Sequence, residues 1–253
     1  MPPISIHALV GLLIASKVAN SKYKVALVFG AVLPDVDLLA SVGIYLLTGD
    51  MNLAKMFHRT ISHSLFVHLL VLLTGWGAMQ FGKKPQGVLL VLLAIGMIVH
   101  TSMDFVYPAY MTHEDVQNDV EPGVAIFWPF TDSKYAIWEI EVSDKIYSIL
   151  IATDFLSDPV LYFLPLLWLA SKRGTDVQLQ KPLTIISISD FLIMTGFTLL
   201  AIVGSLSPND FIFFSYIPGI VDVILAVSFP LLIKETVGSI DFGEPWMSSS
   251  WDF

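Results

Sequence analysis

Long apolar runs separated by short polar turns dominate the chain. Two early runs are short or broken: one covers 4–19, and the other covers 24–47 with Pro34-Asp35-Val36-Asp37 in its middle. Longer spans are predicted at 62–81, 86–107, 146–170, 183–206 and 211–233. Each of these approaches the ~20 apolar residues that cross a bilayer. The pattern therefore predicts an all-α, polytopic membrane helical bundle of about seven membrane segments, the first two short or broken.

Composition agrees with this class. Hydrophobic residues make up 55% of the chain and charged residues 14%, whereas a soluble domain carries about 25% charge. A regular barrel is disfavoured by 14 Pro and 16 Gly, which leaves helices as the way to bond every backbone group in lipid. The first run has no basic flank and carries His7, so we expect a retained helix rather than a cleaved signal.

The net charge limits the possible partners, and the positions of the basic residues predict the orientation in the membrane. The net charge of −9 argues against a nucleic-acid partner, because phosphate backbones require a basic face. No cysteine is present, which excludes disulfides and thiolate metal sites. Basic residues concentrate in the turns 17–24, 83–84 and 172–181, which we place on the cytoplasmic side. The 48–62 and 108–145 loops then face outward.

Three parts of one bundle are predicted. Residues 1–170 form a membrane core that includes an outer loop at 108–145. Residues 171–233 add two membrane helices, and 234–253 form a polar tail.

Two pairs of residues point to metal chemistry. His100 and Asp104 are four residues apart in an apolar span, so both project from one helix face. An imidazole and a carboxylate at that spacing bind zinc-class ions, although the same pair could simply hydrogen-bond two helices together. Asp35 and Asp37 flank Val36 after a proline. They could reach one ion at a helix break, or merely mark that break.

The stretch FHRTISHSLFVH, residues 57–68, holds His58, His63 and His68. Steps of five residues turn a helix by about 140°, so the three rings cannot form one stripe. We expect His58 in a loop, His63 in the first helical turn and His68 deeper, as a structural residue or a ligand. Arg59 could bind a phosphate or be an ordinary interfacial arginine. Ser62 or Thr60 is the predicted helix cap.

Other ionisable residues lie inside apolar runs. His7 alone would be structural, but the other candidates make it a possible ligand. Asp158 precedes Pro159, where a helix break could aim its carboxylate at the site. Asp190 and Asp222 are interpreted as structural, with an ion or water path as the alternative.

These stretches together resemble a known family. They are His7, VLPDVD (32–37), HRTISHS (58–64), HTSMD (100–104), GVAIFWPF (123–130) and SDPVLYFLPLL (157–167). The set is similar to the membrane-bound metal-dependent hydrolases of bacterial and archaeal inner membranes, whose best-known bacterial member is controlled by the LexA repressor. Thr60 stands where that family usually has glycine. The resemblance covers the first two-thirds of the chain, and its His/Asp order is similar to that of zinc-dependent phospholipase C.

The resemblance and the residues together define a functional expectation. The expected metal ligands are His7, Asp35, Asp37, His58, His63, His100 and Asp104. Asp37, His63 and Arg59 are expected to act in catalysis. We expect one or two divalent ions, zinc or alternatively manganese, and a lipid or lipid-linked phosphoester as substrate. The protein would be a multi-pass inner-membrane hydrolase with its site on the extracytoplasmic side. The alternatives are a transporter or ion-binding protein, and a metal-stabilised scaffold without catalysis.

Overall fold

The computed structural model describes residues 3–18, 21–50, 53–54, 57–117, 121–204 and 208–240 and is predominantly helical. The first helices are α1 Ile4–Ala15, α2 Ser21–Val32, α3 Asp37–Thr48, α4 Leu65–Gln80, α5 Lys84–Val106 and α6 His113–Gln117. The later ones are α7 Asp144–Asp158, α8 Leu164–Arg173, α9 Val177–Val203, α10 Pro208–Leu232 and α11 Lys234–Gly238. Short 3-10 turns cover Leu33–Val36 and Ile61–His63.

The helices have the length and composition of membrane spans. Within the described ranges, four are long and apolar enough to cross a bilayer: Lys22–Thr48, Lys84–Val106, Asp144–Arg173 and Val177–Val203. Shorter apolar helices cover Ile4–Ala15, Leu65–Gln80 and Gly219–Leu232. The predicted all-α membrane bundle is confirmed.

Two prolines lie in tight helical turns without ending a span. Pro34 lies near the start of the 3-10 turn that joins α2 to α3, where a missing backbone N–H costs little. Pro159 opens a π-helical turn, Pro159–Phe163, that joins α7 to α8. The predicted break in the second segment is therefore a tightening within one continuous 27-residue span.

Helices α2 and α5 approach so closely that their backbones touch. A Cβ added to Gly30 would lie 2.2 Å from the carbonyl oxygen of Leu93, and one added to Gly96 would lie 2.3 Å from the carbonyl oxygen of Leu27. Small residues at such crossings let membrane helices pack by backbone contact. This crossing places the end of α2 beside the C-terminal half of α5.

The last long helices belong to the same bundle. Helix α10 contacts α2, α3, α7 and the 3-10 turn at Leu33–Val36. Its Phe229 is fully buried, with its ring centroid 4.8 Å from that of Phe163. The predicted tail is described only as far as residue 240, so 241–253 lies outside the described residues.

The described parts of the 108–145 segment, 108–117 and 121–145, contain regular structure that a polar loop would lack. Strands β1 (Ala109–Met111) and β2 (Glu139–Glu141) pair in parallel, and Val124 bridges to Tyr135. The segment also holds the start of α4, because Leu65 N donates to the carbonyl of Ile126 over 3.1 Å.

The cap of α4 differs from the prediction. Ser64 caps the helix and accepts hydrogen bonds from Phe66 N and Val67 N. Thr60 instead donates its hydroxyl to the carbonyl of Phe57, and Ser62 donates to Asp37. The predicted caps, Ser62 or Thr60, are wrong because both hydroxyls have other partners.

Candidate metal centre

Four buried side chains converge where α2 ends, α4 begins and α5 ends. They are Asp35, His63, His100 and Asp104, and each offers an atom within 4.8 Å of the others. Asp35 comes from the turn after α2, His63 from the turn before α4, and His100 with Asp104 from the last turns of α5. Residues far apart in sequence are therefore gathered where one helix ends and another begins.

Distances within this group suit a single ion. His63 Nε2 lies 3.1 Å from His100 Nε2 and 3.0 Å from Asp104 Oδ2. His100 Nε2 lies 3.5 Å from Asp35 Oδ1, and His63 Nε2 lies 3.9 Å from the same oxygen. Tetrahedral zinc with bonds of about 2.0–2.1 Å requires ligand atoms about 3.3 Å apart. The observed spacings bracket that value.

Outer hydrogen bonds turn both imidazoles toward the centre. His100 Nδ1 lies 2.7 Å from the carbonyl of Ala31, so it carries the proton and donates. His63 Nδ1 lies 2.9 Å from Ser62 Oγ, whose own proton goes to Asp37. Both Nε2 lone pairs then face each other, and a proton or a metal ion must lie between them. A metal-ligating histidine commonly donates its other nitrogen in this way.

Asp104 is an anion held out of water. Its exposure is 2%, and neither carboxylate oxygen makes a hydrogen bond to any described residue. His7 Nε2 lies 3.2 Å from Oδ1, and Arg59 Nε lies 3.6 Å from Oδ2. A buried carboxylate needs paired charge or a metal ion, so the donor set fits a bound divalent cation.

His7 lies at the edge of the four-residue group. Its ring stacks on His100 with centroids 3.8 Å apart, and it touches the group through Asp104. His68 lies outside the group, with Nε2 2.8 Å from the carbonyl of Ser62. The structure thus brings His7 next to the centre and places His68 behind the turn that carries His63.

Asp37 and His58 form a separate pair beside the centre. Asp37 Oδ1 lies 2.7 Å from His58 Nδ1, and Oδ2 accepts from Arg59 N over 2.7 Å and from the Ser62 hydroxyl. His63 Nδ1 lies 3.4 Å from the same Oδ2. The carboxylate of Asp37 is therefore directed to the back of His63 and to the backbone of the 58–63 segment.

Arg59 lies next to Asp104 and has a backbone conformation that is uncommon for a residue other than glycine. Its φ of 65° is left-handed, a region where most side chains are disfavoured. Asp37 accepts its N–H, and Ala125 N donates to its carbonyl over 3.0 Å. Its Nε and Nη2 are buried with no hydrogen-bond partner among the described residues. Local strain kept by surrounding bonds is typical of functional sites.

Lys134 adds a second positive charge near Arg59. Its ammonium donates to the carbonyl of His58 over 2.6 Å. Burial and the nearby Arg59 guanidinium lower the pKa of Lys134 to about 8. Sequence reasoning missed this residue, because it lies in a loop far along the chain from His58, and the Val124–Tyr135 bridge beside it helps to bring it to the site.

A comparison with protein families matches residues 1–173. The chain belongs to the YdjM inner membrane protein family. Comparisons with curated proteins and with solved structures gave no significant match.

The YdjM family match agrees with the resemblance found in the motifs, at the level of a multi-pass inner membrane protein. It includes every residue of the four-residue group and ends at the last residue of α8. Helices α9, α10 and α11 follow the matched region. The match names no activity, so the chemistry must be argued from the site.

Proposed function

We propose that this YdjM-family protein is a metal-dependent hydrolase that cleaves a phosphoester of a lipid or lipid-linked substrate. The observation that carries the proposal is the convergence of His63 Nε2 and His100 Nε2 beside Asp35 and Asp104. Nε of Arg59 lies 3.6 Å from Asp104 Oδ2, and neither its Nε nor its Nη2 makes a hydrogen bond to the described residues. The proposed metal ligands and the anion-binding guanidinium of Arg59 therefore lie in the same site.

One divalent ion would be held by Asp35, His63, His100 and Asp104, with zinc favoured by the two nitrogen donors and manganese as the alternative. Such an ion supplies a nucleophilic hydroxide near neutral pH and neutralises phosphate charge. Asp37 already accepts from His58, Arg59 and Ser62. We therefore favour one ion, with Asp37 and His58 supporting it, over two ions.

Side chains around the ion would bind the substrate and hold the ligands in position. Arg59 would bind a phosphate oxygen, since a guanidinium recognises phosphate through paired N–H groups. Asp37 would keep His63 in the tautomer that leaves Nε2 free. His7 would support Asp104 through its 3.2 Å contact. Lys134 would add positive charge near the bound phosphate.

A lipid-linked substrate follows from the surroundings. The centre lies among apolar helices, and Phe127 and Phe130 beside the 58–65 segment are 51% and 79% exposed. Exposed aromatic rings are common where a membrane protein meets the headgroup region. We place the site on the extracytoplasmic side, as the distribution of basic turns predicts.

Turnover by purified protein tests the proposal. Protein in detergent, supplied with zinc or manganese, should hydrolyse p-nitrophenyl phosphate, bis-p-nitrophenyl phosphate or phosphatidic acid, and His100→Ala should abolish this. His113→Ala is the matched control, because His113 is exposed and pairs with Glu141. Equal turnover by wild type and His100→Ala would contradict the proposal. Metal binding without turnover on all three substrates would instead favour a non-catalytic scaffold.

A specific observation also supports an ion path as the second candidate. Asp190 and Asp222 lie against each other, and both oxygens of Asp222 and Oδ2 of Asp190 are buried without a hydrogen-bond donor from the other described residues. Buried carboxylates in membrane helices often mark ion routes. Cation or proton flux in proteoliposomes that survives His100→Ala and is lost in Asp190→Asn would favour this function over hydrolysis.

A further inference from the structure

A cavity adjoins the metal centre on the side of the late helices. Its wall combines residues from both ends of the chain: Pro3, Ile4, Asp35, Leu38, His58, Ile151, Asp154, Phe155, Asp158 and Val223. Asp35 belongs to the four-residue group, and His58 pairs with Asp37. The cavity therefore opens directly beside the proposed reaction centre.

Most of the wall is apolar. Apolar side chains line it from α1, α3, α7 and α10. The carboxyl group of Asp158 already has a protein partner, because its Oδ1 accepts a hydrogen bond from the backbone N–H of Ser5 over 2.7 Å. A cavity of this kind inside membrane helices suits a hydrocarbon chain better than a charged headgroup.

Helix α10 lies outside the family match and still supplies part of this wall. Val223 is fully buried and lines the cavity. Phe155, another lining residue, packs so tightly on α10 that a Cβ added to Gly219 would lie 2.8 Å from its ring. A helix beyond residue 173 therefore forms part of the cavity wall, through Val223 and its packing on Phe155.

We propose that this cavity receives the apolar chain of the phosphoester substrate, and that Val223 with the neighbouring Phe155 determines which chains fit. The inference rests on the proposed function, since the phosphate group bound at the metal centre would position the apolar chain of the substrate. The cavity shares Asp35 with that centre. A substrate could therefore occupy both at once.

Narrowing the cavity tests the assignment. Val223→Phe should lower kcat/KM for long-chain phosphatidic acid by roughly tenfold or more, since a methylene-sized misfit in an apolar pocket costs at least that. Hydrolysis of p-nitrophenyl phosphate, which has no chain, and the metal content should stay unchanged. Val221→Phe is the matched control, because Val221 is 42% exposed on the same helix.

An equal loss with both substrates at full metal content, or no loss with either, would overturn the assignment while leaving the hydrolase proposal standing. If Val223→Phe does not fold, Val223→Ala tests the same assignment by widening the cavity instead of narrowing it. It should shift preference toward bulkier chains. An unchanged chain profile would overturn the assignment.

A second measurement does not depend on turnover. A phosphatidic acid with a diazirine in its acyl chain, incorporated in nanodiscs, should crosslink on irradiation to peptides containing Ile151, Phe155 or Val223. Val223→Phe should reduce this labelling, and Val221→Phe should not. Labelling confined to outward-facing positions such as Leu192, which is 62% exposed, would overturn the assignment even if hydrolysis is confirmed. Labelling of the cavity without any hydrolysis would support lipid binding while refuting the hydrolase proposal.

Discussion

At the scale of single residues, the centre depends on which nitrogen of each histidine faces inward. Ala31 and Ser62 accept from the outer nitrogens of His100 and His63. The sequence indicated His63, His100, Asp35 and Asp104 as ligands because they are ionisable groups in apolar surroundings. It could not reveal a backbone carbonyl as the partner of His100, since that bond depends on the packing of α2 against α5.

Asp37 and Asp104 should behave differently when neutralised. Asp104→Asn removes a proposed ligand, so metal binding should be lost. Asp37→Asn only weakens the support behind His63, so metal affinity should fall about 10- to 100-fold, as is typical for outer carboxylates. Isothermal titration with zinc measures both, with the exposed Asp132→Asn as control. Complete loss of binding in Asp37→Asn would show that Asp37 is itself a ligand.

Arg59→Lys tests the phosphate contact. Lysine keeps the charge but loses the paired N–H geometry of the guanidinium, so inhibition by inorganic phosphate should weaken about tenfold, the loss of roughly one charged hydrogen bond. Metal content should remain at the wild-type level. Arg173→Lys, far along the chain at the end of α8, controls for the substitution itself. Unchanged phosphate inhibition would remove Arg59 from substrate binding.

At the scale of elements, hydropathy located the helices well, because a run of apolar residues needs little context to be recognised. The joins between helices were harder to predict. The 3-10 turn after Val32 and the cap at Ser64 both depend on contacts with distant residues, such as the bond from Ser62 to Asp37. The order in the 108–145 segment likewise depends on its pairing with the 59–65 segment.

The crossing of α2 and α5 is the element-scale feature that assembles the site. Gly30→Ala would place a methyl group 2.2 Å from the carbonyl oxygen of Leu93, and overpacking of this kind costs about 1–3 kcal/mol. We expect a lower thermal midpoint in detergent and weaker metal binding, because His100 bonds to the neighbouring Ala31.

Gly196→Ala is the matched control for this change. An added Cβ there meets nothing within 4 Å, and alanine favours a helix over glycine by about 1 kcal/mol. Its thermal midpoint should stay the same or rise. Equal shifts in both variants would show that the α2–α5 contact does not limit stability.

At the scale of the whole molecule, the metal group belongs to the part that matches the family, whereas the cavity beside it is completed by α10. The sequence predicted two additional helices after residue 170. It could not show that one of them contacts the turn carrying Asp35, because such contacts are set by the docking of helices and not by local pattern.

The central claim is that Asp35, His63, His100 and Asp104 hold a metal ion. Metal analysis of detergent-purified protein, comparing wild type with His100→Ala and with His113→Ala, tests it most directly. We predict about one divalent ion per chain in wild type and in His113→Ala, the content of a single closed centre, and a near-complete loss in His100→Ala. The same metal content in wild type and His100→Ala would contradict the account.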